Sequence, residues 1–146
     1  MLLVSTGFKA ALFGPQSFAQ IFAGGQIRIY DSVRPASANS AETAVPFAIV
    51  QAMDGSGPGL TFALTAGNVI KPPVAPWALV ASAPGTAVWW RLVGANDSGD
   101  DSLTAPRIDG DIGTAAAPAD MTLATDVFTP GNMLPIDSFL YTIPPL

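Results

Sequence analysis

Thr86-Ala87-Val88-Trp89-Trp90-Arg91-Leu92-Val93-Gly94 is the stretch that decides the fold. It is rich in β-branched and aromatic residues, and it is bounded by Pro84-Gly85 before and Gly94 after, so it reads as a strand. Side chains alternate across a strand. Val88, Trp90 and Leu92 therefore share one face, and Ala87, Trp89, Arg91 and Val93 share the other. The first face is wholly apolar, and the second is apolar apart from Arg91. A strand with two apolar faces is covered on both sides, by its own domain or by another chain.

Moving outward toward the N-terminus, Gln26 to Tyr30 has the same period of two, with Ile27 and Ile29 alternating against Gln26, Arg28 and Tyr30. Phe47 to Gln51 and Leu60 to Thr65 read as further strands, joined through the turn Asp54-Gly55-Ser56-Gly57-Pro58-Gly59. Ahead of them the period is helical. Ser5-Thr6-Gly7 can cap a helix, Gly14-Pro15 breaks it, and Pro15 suits the first position of a second one. Phe8, Leu12, Phe18, Ile21 and Phe22 form the predicted buried side. This segment is either a lid over the end of a β-sandwich or an arm that docks on a neighbouring chain. Asp31 to Thr43 is a long polar loop, which in a compact domain is mobile or engaged with something.

Toward the C-terminus, Ala66 to Pro76 reads as irregular because Pro72, Pro73 and Pro76 cannot donate to a central ladder. Trp77 to Ala81 reads as an edge strand. Arg107 to Ile112 is a strand in which Gly110 marks a bulge. Met121 to Phe128 and Ile136 to Ile143 complete the set, with Pro144-Pro145 stopping the last strand. Short strands separated by frequent turns predict a mainly β fold, an antiparallel β-sandwich or jelly roll with a short N-terminal helical segment. One domain is expected over 1–146, helical over 5–23 and β-sandwich over 26–146.

Composition excludes several functions. The 146 residues carry 6 cations and 11 acidic groups, a net charge of −5. That balance argues against nucleic acid and against an anionic membrane surface. No apolar run is long enough for a membrane helix. Met1-Leu2-Leu3-Val4 lacks a basic flank and Lys9 interrupts the apolar stretch, so no secretory leader is expected. Only 12% of residues are charged while 49% are hydrophobic, so much of the surface is neutral. The favoured explanation is that partners bury it.

Enzyme chemistry finds little to work with. The chain has neither His nor Cys, which removes the commonest general base, thiolate nucleophiles and zinc–thiolate sites. Asp97, Asp100, Asp101, Asp109 and Asp111 cluster, but all lie in or beside turns, the setting of solvated carboxylates rather than of a glycosidase pair. The run Asn96 to Asp101 is oxygen-rich yet does not follow the EF-hand spacing, and an exposed turn is the preferred reading. Gly55 to Gly59 lacks the Lys-Ser/Thr of a phosphate-binding loop and reads as a hairpin turn. No enzyme activity, metal or cofactor is expected. Trp77, Trp89, Trp90 and Tyr30 could instead stack on a sugar, although core or subunit interface is preferred for them.

Several stretches resemble a family of small virion proteins of tailed bacteriophages: Leu3 to Phe13, Phe22 to Tyr30 with the Pro-Ala-Ser-Ala loop after it, Gly57 to Phe62, Gly85 to Val93, Ala105 to Gly110 and Ile136 to Phe139. The likeness covers most of the chain and its motifs are not catalytic. It implies a jelly-roll cement or decoration protein that locks the lattice of the major capsid protein, acting as a dimer or trimer. Such a protein assembles in the host cytoplasm and ends in the virion capsid, with no nucleic-acid or membrane partner. Phe8, Leu12, Trp77, Trp89 and Arg91 are the predicted contact residues. The alternatives are a carbohydrate-binding virion adhesin and a tail or neck component.

Overall fold

A computed structural model describes residues 1–142. The predicted strand end at Ile143 and the stop at Pro144-Pro145 lie outside the described residues. In chain order the elements are β1 (Leu3–Val4), α1 (Thr6–Leu12), α2 (Phe18–Ile21), β2 (Gln26–Tyr30), β3 (Ala48–Ala52), β4 (Ala63–Thr65), β5 (Asn68–Ile70), β6 (Trp77–Ala81), β7 (Gly85–Thr86), β8 (Trp89–Val93), β9 (Arg107–Thr114), β10 (Met121–Leu123), β11 (Val127–Phe128), β12 (Met133–Ile136) and β13 (Leu140–Thr142).

The fold is mainly β, with antiparallel sheets and a short helical segment near the N-terminus. The strands are shared unevenly. One sheet runs β1-β9-β8-β2-β3-β6-β12, with β10 added parallel to β9, while β13-β5-β4 and β11-β7 form small sheets. The quoted stretch holds the centre through β8, which pairs with β2 on one side and β9 on the other. Alternation then sorts the side chains by rung. Ile108, Leu92, Ile27, Val50, Leu79 and Leu134 lie opposite one another across the sheet. These apolar residues join the buried cluster that contains Phe8, Phe18, Phe22 and Phe62.

Both helices are closed by serine caps. The Ser5 hydroxyl accepts from the Phe8 N–H and from the Arg107 N–H, and donates to the Ala105 carbonyl, so one oxygen caps α1 and fixes it to β9. Ser17 and Gln20 make a reciprocal capping box that starts α2. Pro15, predicted as the first residue of that helix, instead lies in the turn before it, because Ser17 satisfies the donors that a start at Pro15 would leave open. The helices pack their aromatic rings into the cluster: Phe8 meets Phe18 edge-on at 5.8 Å, and Phe18 meets Tyr141 at 5.0 Å.

Several local expectations are corrected. Trp77 to Ala81 is an interior strand, since β12 takes the edge and carries the ladder-breaking Pro135. The stretch 66–76 contains β5, reached through a turn at Ala66 and Gly67 with positive φ. Leu60 to Thr65 is not one strand: Leu60 bridges Gly25, and only Ala63–Thr65 joins a sheet. The glycine-rich loop before it therefore leads from one sheet to another and is not a hairpin turn. Finally, Gly110 marks no bulge, for the β8–β9 register runs through it unbroken.

Gly110 is a glycine because the Trp90 indole lies on it. A Cβ there would sit 2.6 Å from the ring. Gly110→Ala is expected to cost about 1–3 kcal/mol by overpacking, read as a lower urea midpoint, with a changed near-ultraviolet signal from the displaced indole. An unchanged midpoint would contradict this packing.

Candidate functional site

The second face of β8 is where the sequence places a partner, and the chain covers most of it with its own loops. Arg28, Arg91 and Asp109 occupy one rung of β2, β8 and β9, and Arg107 lies two residues before Asp109 on the same face. Like charges on neighbouring strands repel, so this rung needs counter-charges from above. The loop 31–45 brings Glu42, and the loop 96–105 brings Asp97.

Arg91 grips Asp109 with two parallel bonds, Nε to Oδ1 and Nη2 to Oδ2, each 2.8 Å, and its Nη1 donates to the Ser40 carbonyl at 2.9 Å. Arg107 holds Asp97 in the same way at 2.6 and 2.7 Å, and also donates to the Asp100 carbonyl. Arg28 pairs with Glu42 and donates to the Asp97 carbonyl. The loops bond each other too, Glu42 N–H to the Gly99 carbonyl and Ser102 N–H to the Asn39 carbonyl, both 2.8 Å. The long polar loop is thus engaged, and its partner is the chain's own acidic loop.

This corrects the expectation of solvated carboxylates for Asp97 and Asp109, while Asp100 and Asp101 are exposed as expected. The side chains of Asp97 and Asp109 are buried and fully committed to guanidinium groups, because the sheet supplies buried arginines that need them. Burial pushes the Asp97 carboxyl up, but the Arg107 guanidinium and the Gly99 N–H outweigh it and hold it below the usual range. A carboxyl depressed on folding contributes stability above its unfolded pKa of about 3.9, and that contribution is lost as pH falls through the folded value. The melting temperature is therefore expected to drop below about pH 4, and Asp97→Asn is expected to flatten that part of the profile in a pH series of thermal melts. Burial likewise raises the Tyr30 phenol, helped by the nearby Glu42 carboxylate.

Of the five predicted contact residues, four are corrected. Phe8, Trp77, Trp89 and Arg91 are each at most 2% exposed, so their side chains are spent inside the chain. Trp89 stacks on Tyr30 with centroids 4.0 Å apart and planes within 10°, and the Arg91 guanidinium sits 5.5 Å from the Trp89 ring centroid. Trp77 packs against Phe62 and Phe139. Only Leu12 is exposed. The inward face of α1 is Gly7, Phe8 and Ala11, which rotates Leu12 outward. Trp90 is buried as well, so no tryptophan forms a platform for a sugar.

Two features escaped the sequence. One is Phe13, 92% exposed at the end of α1. Its signal was its place outside the helical stripe and directly before Gly14-Pro15. The other is a cavity of about 580 Å³ on the apolar face of the large sheet, walled by Ile27, Val50, Trp90, Leu134, Phe139 and Tyr141. It depends on residues far apart in the chain, so no local pattern announces it. Among the described residues no three acidic groups are placed to hold a metal ion, and no helix is long and apolar enough to cross a membrane.

No family model matches the chain, and no curated protein or solved structure is found to be significantly similar to it.

Proposed function

We propose that this chain is a structural subunit, a small virion protein of a tailed bacteriophage that binds the major capsid protein and stabilises its lattice alongside copies of itself. The observation that carries the structural part is the surface. Large apolar side chains, among them Phe13, Val33, Val45, Val74, Leu103 and Leu140, stand exposed. Four of the six cations, Arg28, Arg34, Arg91 and Arg107, are tied up in internal ion pairs. A free monomer normally presents an interspersed charged surface, and this one presents apolar groups with few balancing cations. The phage assignment rests on the resemblance of the sequence stretches from Leu3 to Phe139.

The mechanism is burial. At ~25 cal/mol per Å² a modest apolar patch contributes several kcal/mol before the entropy of association is subtracted, and a lattice repeats that contact many times. The contact surface begins with Leu12 and Phe13, since the other expected residues are internal. The adhesin alternative loses its platform with the indoles buried. Immunogold labelling of purified particles with antibody to the chain tests the proposal. Label over the capsid is the expected result. Label confined to the tail reassigns the protein to the tail or neck, and unlabelled particles overturn the virion assignment.

A further inference from the structure

Phe13 and the cavity complement one another. Phe13 is the one aromatic side chain among the described residues that stands exposed. It sits at the C-cap of α1, where the chain turns through Gly14-Pro15, so it projects from a fixed point and packs on nothing. The cavity is the reverse: an apolar recess lined by Ile27, Trp90, Leu134 and Tyr141, open to solvent on a face that is otherwise close-packed. Interiors are packed to crystal density, and the walls of a recess this size lack contact atoms on one side. Its volume admits a benzyl group together with the leucine beside it.

Charge favours the same match. Lys9 is exposed on the last turn of α1, four residues before Phe13, and makes no ion pair among the described residues. The cavity lining includes Asp120 and Asp137 and no cation. Asp120 is bonded to the Met1 amino group, while Asp137 is exposed and has no ion-pair partner among the described residues. The projecting element brings a cation and the recess brings an anion.

We propose that Phe13 of one copy seats in this cavity of a second copy, with Lys9 facing Asp137 across the contact. The proposal rests on the assembly reading above and names the contact through which copies join. The two surfaces differ, so the contact is heterologous and closes into a ring or continues as a chain of copies.

The test is sedimentation velocity with native mass spectrometry on the full chain across the micromolar range. The wild type is expected to associate with rising concentration. Phe13→Ser is expected to weaken association about tenfold or more, as for an aromatic anchor at an interface centre, with an unchanged thermal melt because the side chain packs on nothing. Ala124→Trp, at the cavity lining, is expected to block association from the other side. Lys9→Glu is expected to weaken it, and Lys9→Glu with Asp137→Lys to restore it. A wild type that stays monomeric, or a Phe13→Ser variant that associates as the wild type does, overturns the proposal. So does a monomer carrying a constant extra mass, which would identify a small apolar molecule as the occupant. Gold-labelled capsids with a monomeric wild type would reject this contact and leave the virion assignment standing. An associating chain absent from particles would do the reverse.

Discussion

Asp109→Ala is expected to lower the free energy of unfolding by about 3–5 kcal/mol. The substitution removes both oxygens that Arg91 grips, and Arg91 has no exposed surface through which water could replace them. One bond, to the Ser40 carbonyl, is all that remains to that guanidinium. The pair itself is not the source of the effect. Taking two charges out of water costs nearly what their attraction returns, so a fitted apolar pair in the same space is about neutral. The double variant Arg91→Met, Asp109→Leu is therefore expected to recover most of the loss. Urea denaturation of the two variants and the wild type separates these terms. A single variant within about 0.5 kcal/mol of wild type would show that water reaches Arg91 after all.

Trp89→Ala is the second large effect, about 3–5 kcal/mol by loss of a buried aromatic and the space left behind. The indole stacks on the Tyr30 ring, the Arg91 guanidinium lies 5.5 Å from its centroid, and its Nε1 reaches the Ser32 hydroxyl at 3.4 Å. Removing it unseats the start of the loop 31–45 as well as the sheet. Loss of the stacked pair should also remove near-ultraviolet dichroism. Were Trp89 a contact residue, the same variant would keep its stability and lose only association. Chemical denaturation beside sedimentation distinguishes the two outcomes directly.

That contrast marks where the sequence stops being readable. Alternation in Trp89–Val93 and Gln26–Tyr30 was enough to place the central strands and their two faces, because period and burial are local properties. Ser5 announced the start of α1 for the same reason. What covers the Arg91 face was not local. The choice between a partner and the chain's own loops depended on Asp97 and Glu42 reaching arginines on other strands, and a polar loop that neutralises a buried charge looks in sequence like any solvated loop. β12 was missed because Pro135 argues against a strand, and only a free edge makes it tolerable. The cavity, assembled from residues between Leu2 and Tyr141, had no linear signature at all.

The pairing of β1 with β9 sets an order of events. Leu3 lies opposite Asp109, and the Ser5 hydroxyl that caps α1 bonds Ala105 and Arg107. Some 100 residues of chain beyond Ser5 must therefore leave the ribosome before β1 and α1 find their seat. Folds dominated by such distant pairings form in milliseconds to seconds. Until then α1 is an unmoored and barely helical peptide, since seven residues are too few to hold a helix in water. The projecting end of that helix takes up its position only once β9 has been made and paired with β1, which delays sticking between nascent chains until each has closed its own core.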